Sequence, residues 1–508
     1  MRRPPNILIF MTDQEQAEVL LPDHPCHTPH AGRLAAEGVQ FTRAFCPTAH
    51  CCPSRASFMT GVYPSLHGVY NNVSTPTAIR RGLKPGLNTF AEGLREAGYR
   101  LLYAGKWHVS DEEDPADRGW EELEVTARKG RSMHRSPEQW RRQGGAGRPP
   151  AEGSARAAPP ASGAGTEARP RGLVRRPGWG DYQLYRTLPT AGELGYDEKP
   201  DWRVVSSALG ALEQLTRGDG SGRPWCLFVG PVGPHDPFFV PDVFVRRYDP
   251  AQVPLPPSYH DTLEDKPRVY QRMRRQYWDQ LSESEIREAV AHYWAYCTME
   301  DTYLGLLLDA LEAGGQREST LVVRLSDHGE YAGAHGLFCK GVPAFREGSH
   351  IPCILSWPEG IDRPGRREEA FVTLADFAPT FLELAGVTAP AGLTGRSLVP
   401  FLRGETPADW PDAYYSQFNG VELYYTQRVV QTPAFKYVYN GFDFDELYDL
   451  RADPHELVNL APRREYDEVK HELVRKMWRF AAGVDDHIFN AYATVALAPW
   501  GPADALAE

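Results

Sequence analysis

Asn6-Ile-Leu-Ile-Phe-Met-Thr-Asp-Gln14 is the stretch that decides the fold. Residues 6–11 form a short, continuous apolar run, which reads as a strand buried on both faces of a parallel sheet. The run ends in Thr12-Asp13-Gln14. Open α/β sheets place their binding crevice outside the carboxyl ends of the strands, so a carboxylate there is positioned for chemistry. Three more runs repeat the pattern. Tyr99 to Ala104 ends in Gly105-Lys106-Trp107-His108. Trp225 to Val229 leads into Gly-Pro-Val-Gly-Pro-His235-Asp-Pro, where the prolines hold His235 in a non-helical loop. Leu321 to Leu325 ends in Ser326-Asp327-His328-Gly329-Glu330, and Lys340 follows soon after. Helical patterns lie between the runs, at 89–97, 201–216 and 284–313, the last stopped by Gly314-Gly315. Each polar residue alone could be a turn or surface residue. Their shared placement at strand ends points to an α/β fold: a doubly wound, mostly parallel sheet flanked by helices, with the strand ends on one edge.

A second stretch, His50-Cys-Cys-Pro-Ser-Arg-Ala-Ser-Phe-Met-Thr-Gly61, carries the candidate nucleophile. Pro53 and Ser54 suit the first turn of a helix, so Cys51 is expected just before a helix N-terminus with Arg55 one turn along. Unpaired N–H groups and a positive dipole end collect there, which favours a nucleophile that meets an anion. Two adjacent cysteines could equally be small buried residues.

The chain has 508 residues, enough for one large and one smaller domain. Its net charge of −12 argues against nucleic acid as a partner, and means that an anionic substrate must be drawn in by local positive charge. Eight cysteines in so long a chain do not suggest a disulfide framework. No apolar stretch approaches the roughly 18 residues of a membrane-spanning helix, and no signal peptide is visible, so a cytoplasmic protein without a membrane partner is expected. His24-Pro-Cys26-His27-Thr-Pro-His30 matches no standard zinc spacing and reads as a loop entering a helix at Thr28-Pro29. Residues 129–178 are rich in Arg, Pro, Gly, Ala and Ser and read as a low-complexity insertion with solvated basic runs such as Arg169 to Arg176. From about residue 401 the pattern changes to short alternating strands at 414–416, 421–426, 428–430 and 435–439, followed by a helix near 465–481. The expected organisation is a catalytic α/β domain over 1–400 and a C-terminal α+β subdomain with a short antiparallel sheet over 401–508.

Cys51-x-Pro-Ser-Arg55 followed by Met59-Thr-Gly61 resembles the signature of the type I sulfatases, within the alkaline-phosphatase-like superfamily. Thr12-Asp13, Gly105-Lys-Trp-His108, Pro234-His235-x-Pro237, Ser326-Asp-His-Gly-Glu330 and Glu446-Leu-Tyr-Asp-Leu450 occur in the order found in that family. The resemblance implies that Cys51 is converted to formylglycine by a formylglycine-generating enzyme, and that the aldehyde hydrate attacks a sulfate ester. It implies one divalent metal held by Asp13, Gln14, the modified Cys51, Asp327 and His328. Arg55 and Lys106 would hold the formylglycine and the substrate oxyanion. His108 would take the proton that lets the hydrate collapse, and His235 and Lys340 would bind the sulfate and protonate the leaving oxygen. Calcium is the ion the family favours. Gln14 and His328 depart from the commoner Asp and Asn, and an imidazole suits manganese or zinc better. The Asp-Gln and Asp-His pairing is similar to the branch holding choline sulfatases and phosphonate monoester hydrolases. A phosphonate or phosphodiester substrate, and an inactive binding protein, therefore stand as alternatives to a small-molecule or saccharide sulfate ester. Tyr70, Phe238 and Tyr424 are candidates to shape the pocket, and a homo-oligomer is left open.

Overall fold

The computed structural model describes residues 3–130, 133, 135–145, 169–190, 200–217, 222–421, 423–492 and 500–507. Asn6–Thr12 (β1) is the strand its composition predicts. Leu8 and Phe10 point into one core, Ile7, Ile9 and Met11 into the other, and all five are fully buried. A strand covered on both faces must be apolar at every position, and each such side chain contributes about 1.5–3 kcal/mol.

Seven strands join β1 in one sheet: Val39–Phe45 (β2), Arg100–Lys106 (β3), Glu121–Thr126 (β4), Trp225–Gly230 (β5), Thr320–Ser326 (β6), Cys353–Ser356 (β7) and Arg366–Thr373 (β8). Their order is β8-β2-β7-β6-β1-β5-β3-β4. β6, β1, β5, β3 and β4 run parallel, and β7 is antiparallel to both its neighbours. Helices Pro29–Ala36 (α1), Pro200–Arg217 (α4) and Glu283–Ala313 (α5) cover one face. Cys51–Thr60 (α2), Phe90–Glu96 (α3) and Phe377–Leu384 (α6) cover the other. The doubly wound, mostly parallel reading holds.

Helix boundaries follow local chemistry. Thr89 and Glu92 form a capping box that starts α3, and Ser282 with Glu285 starts α5. α2 begins at Cys51 itself, one residue earlier than expected, with extended His50 as its N-cap. It ends at Gly61, which adopts φ +74°; a side chain there would press against Ala378.

Beyond the large sheet lies a four-stranded antiparallel sheet, Tyr414–Phe418 (β9), Gln427–Gln431 (β10), Phe435–Asn440 (β11) and Glu446–Asp449 (β12), backed by Asp467–Gly483 (α7). In the expected strand at 421–426 the described residues, 421 and 423–426, form no strand. The Val421 carbonyl accepts from the Thr77 hydroxyl, the Tyr425 N–H donates to Asn419, and Leu423 and Tyr424 are solvent-exposed.

One further reading changes. Of the segment 129–178, residues 146–168 lie outside the described residues. The basic run after them is not simply solvated: Arg169 pairs with Glu285 at 2.6 Å and Arg171 with Glu288 at 2.6 Å, which ties the segment to α5. The eight cysteines are all unpaired. No helix among the described residues is long and apolar enough to cross a membrane.

In the small sheet, Arg428 donates to Asp486 through Nε at 2.6 Å and Nη2 at 2.8 Å, with both side chains fully buried. Tyr415 and Gln417 donate to the same carboxylate, each at 2.7 Å. Burial pushes the Asp486 pKa up, but Arg428 outweighs it and holds the carboxyl well below the usual range. Asp486→Ala should therefore cost about 3–5 kcal/mol in urea unfolding, because a buried guanidinium is left unpaired. The pair's contribution is present above the unfolded carboxyl pKa of about 4 and is lost as pH falls. The variant's stability should accordingly fall less steeply than wild type in acid.

Candidate active site

The parallel ladder brings the polar strand ends together. Thr12 on β1 pairs with Ser326 on β6, and the Asp327 N–H donates to the Thr12 carbonyl at 3.2 Å, so Asp13 and Asp327 emerge side by side. β3 delivers Lys106 from the other side of β5. Gly105 makes that possible. It adopts φ +114°, and a side chain there would lie 2.0 Å from the Gly230 carbonyl oxygen.

Helix α2 then seats Cys51 and Arg55 against these ends. Arg55 Nε donates to Asp327 Oδ2 at 2.7 Å, Nη1 to the Lys106 carbonyl at 2.8 Å, and Nη2 lies 3.8 Å from Asp13 Oδ2. Lys106 donates to the same Asp13 oxygen. One guanidinium thus ties the helix to β1, β3 and β6 with all partners buried. Ion pairs in this setting carry large energies only because both members are present.

Asp13, Cys51, Asp327 and His328 each offer a ligand atom within 4.8 Å of the others, all buried. His328 Nδ1 donates to the Gly329 carbonyl at 2.9 Å, which leaves Nε2 facing the cluster. Nε2 lies 3.1 Å from the Cys51 sulfur, 3.4 Å from Asp13 and 3.6 Å from Asp327. An imidazole oriented by a carbonyl behind it, beside two buried carboxylates, is a donor set that fits a divalent cation.

Around the cluster stand the cationic and basic groups. Burial pushes the Cys51 thiol up, but Lys106, Lys340 and His328 outweigh it and hold it well below its ordinary value. Burial, with Lys106 next, pushes His108 down to about 4, so its imidazole is neutral at pH 7. His108 sits at φ +50°, and its Nδ1 is buried without a hydrogen-bond partner. Lys340 donates to His235 Nε2 at 2.7 Å, and His235 Nδ1 donates to the Asp236 carbonyl at 2.6 Å.

Gln14 links the two halves. Its backbone sits at φ +68° and its N–H donates to Asp327 at 3.2 Å. Its side-chain amide donates to Asp236 at 2.8 Å and to Glu330, and its carbonyl accepts from Lys340. Left-handed backbone at non-glycine residues concentrates where neighbouring structure enforces it, as at functional sites.

The structure thus gathers Asp13, Gln14, Cys51, Arg55, Lys106, His108, His235, Asp327, His328 and Lys340 at one edge of the sheet. It adds residues the sequence reading passed over. Asp236 and Glu330 hold Gln14, and burial, with Asp236 next, pushes Glu330 up to about 8. Both stand inside quoted motifs, so adjacency was their signal. Tyr182 donates to Asp236 from a segment far away in the chain, and nothing local marks it. The proposed pocket aromatics fare differently. Phe238 is fully buried against Tyr293, Tyr424 is exposed, and Tyr70 is half-buried against His487.

Comparison with known proteins gives the family and the fold. The family model described as sulfatase matches residues 5–387, and that of the N-sulphoglucosamine sulphohydrolase C-terminal region matches 333–482. The chain is 29% identical to a choline-sulfatase of Rhizobium meliloti, over 96% of this chain and 88% of that protein. It is 27% identical to an N-acetylglucosamine-6-O-sulfatase of Bacteroides thetaiotaomicron, over 93% and 85% respectively. The crystal structure of the phosphonate monoester hydrolase of Agrobacterium radiobacter shares the fold, with a TM-score of 0.72, 24% identity, and coverage of 94% of this chain and 95% of that one. With a match over residues 5–387, which span the large sheet, the chain belongs to the sulfatase family.

Proposed function

We propose that this protein hydrolyses sulfate esters, R–O–SO3⁻ to R–OH and sulfate, using formylglycine made from Cys51 by a formylglycine-generating enzyme. The observation that carries this reading is the convergence on Cys51 of a divalent-cation donor set and a ring of lysine, arginine and histidine side chains. Relatives named choline-sulfatase and N-acetylglucosamine-6-O-sulfatase support a small alcohol or a saccharide as the group R.

Formylglycine would supply a hydrated aldehyde, with one hydroxyl to attack sulfur and a second that allows sulfate to leave by elimination. A divalent cation held by Asp13, Asp327, His328 and the residue at 51 would supply Lewis acidity; calcium is the family's ion, and the imidazole leaves manganese and zinc open. Gln14 reaches this set through its backbone and holds Lys340 in register. Arg55 and Lys106 pair with the two carboxylates and place fixed positive charge where the oxyanion sits. Lys340 and His235 form a donor pair on the leaving-group side, and the Lys340 ammonium can pass a proton to the departing oxygen while His235 holds it in place. His108, neutral and beside the residue at 51, is placed to take the hydroxyl proton at elimination.

A phosphonate or phosphodiester reading rests on Gln14 and His328, which the sequence shares with that branch. Parallel turnover of an aryl sulfate and an aryl phosphonate decides between them. We expect the sulfate to be preferred, and a preference for the phosphonate reverses the assignment.

Three outcomes are expected. Protein co-expressed with the maturing enzyme should yield a Cys51 peptide about 18 Da lighter than the thiol form, where simple cysteine oxidation would add mass. Cys51→Ala should keep its melting temperature within a few degrees yet lose more than roughly a thousandfold in kcat. Elemental analysis should find one divalent ion per chain, and Asp327→Ala should weaken its binding more than about tenfold, since even outer-shell partners are worth that much. Full activity after exhaustive chelation would remove the metal from the scheme.

A further inference from the structure

His50 precedes the nucleophile and has no place in the scheme above. It is 7% exposed, and neither ring nitrogen bonds a nitrogen or oxygen of the protein; the Cys51 side chain is the hydrogen-bonding group it faces. As the N-cap of α2 it could have bonded the first turn, but its side chain makes no capping bond. That task falls to Asn72, whose side-chain oxygen accepts from the Cys52 N–H at 3.3 Å. Pro53 has no N–H to offer. The imidazole is therefore free of the helix. Its ring lies 6.4 Å from that of His328, and its electrostatic neighbours are Cys51, Lys340 and His328.

A buried polar group left without a partner is destabilising, and an apolar side chain at this position would avoid that cost. Arg55 Nη2, His108 Nδ1 and both nitrogens of His50 are buried without a nitrogen or oxygen partner, and each of these side chains has Cys51 as an electrostatic neighbour. The first two belong to side chains that face the reacting group in the scheme above. His50 shares their situation.

Resting on the hydrolase reading, we propose that His50 is a substrate-contacting residue whose imidazole donates a hydrogen bond to an oxygen of the anionic group held at residue 51. It adds a neutral donor to the cationic set of Arg55, Lys106 and Lys340. As the N-cap residue it directly precedes Cys51 at the start of α2.

The test compares wild type, His50→Leu and His50→Asn in saturating divalent cation, by thermal unfolding, calorimetric binding of inorganic sulfate, and kcat and KM on an aryl sulfate. His50→Leu should melt at or above the wild-type temperature, bind sulfate at least about 10-fold more weakly, and lose about 10- to 100-fold in kcat/KM. His50→Asn, which keeps a donor, should recover part of both losses. Unchanged sulfate affinity in His50→Leu overturns the contact and leaves the hydrolase reading standing. So does a loss that tracks a lowered melting temperature and is not recovered by Asn. Wild type that binds sulfate in a His50-dependent way but hydrolyses no sulfate ester supports the contact and removes the hydrolase reading.

Discussion

The buried Arg55 side chain is the interaction on which the rest of the site depends. It leaves helix α2 and bonds Asp327 at the end of β6 and the carbonyl of Lys106 at the end of β3, with Asp13 of β1 close by. Two carboxylates fully removed from water would repel each other and lose their hydration. Arg55 and Lys106 make their burial tolerable. Arg55 also fixes where Cys51 stands, because Cys51 lies one helical turn before it on the same helix. Position and charge are thus set by one residue.

The sheet makes this arrangement possible. Parallel strands send all their carboxyl ends to one edge, and the register of β1 with β6 sets Asp13 beside Asp327 without any side-chain adjustment. Neighbouring strands lie under 5 Å apart, so adjacent strand ends fall naturally within reach of one ion. The close approach of β3 to β5 at Gly105 brings Lys106 into the same space. Catalytic groups held on strand ends and a helix start are more precisely placed than groups on long loops.

The small C-terminal sheet contributes by bracing. Tyr414 donates to the Cys46 carbonyl at 2.7 Å and the Gln417 N–H to the Pro47 carbonyl at 2.9 Å, just before helix α2. The Ser65 N–H donates to Gln417 at 3.0 Å and the Ser65 hydroxyl to the Val484 carbonyl at 2.7 Å, just after it. Segments on both sides of α2 are therefore held by backbone-directed bonds from a part of the chain more than 300 residues away. The buried Arg428–Asp486 pair keeps that brace rigid.

Much of this was legible in the amino-acid order. Continuous apolar runs with polar ends determine buried parallel strands and their reactive edge, because a strand covered on both faces tolerates polarity only where it stops. Asp13, Lys106, His235 and Asp327 stand out for that reason, and Cys51 and Arg55 through the residues that begin a helix. The strand misplaced to 421–426 shows the limit: alternating apolar residues there are diverted by bonds to Thr77 and Asn419, which no local pattern reveals. The tertiary structure alone decided the rest. It turned the Gln14 amide towards Asp236, Glu330 and Lys340, brought Tyr182 to Asp236, and left the His50 imidazole beside Cys51 with no nitrogen or oxygen partner. The physical reason is that periodicity reports which residues leave water, while the choice of partner for a buried polar group is made by whichever distant segment packs against it.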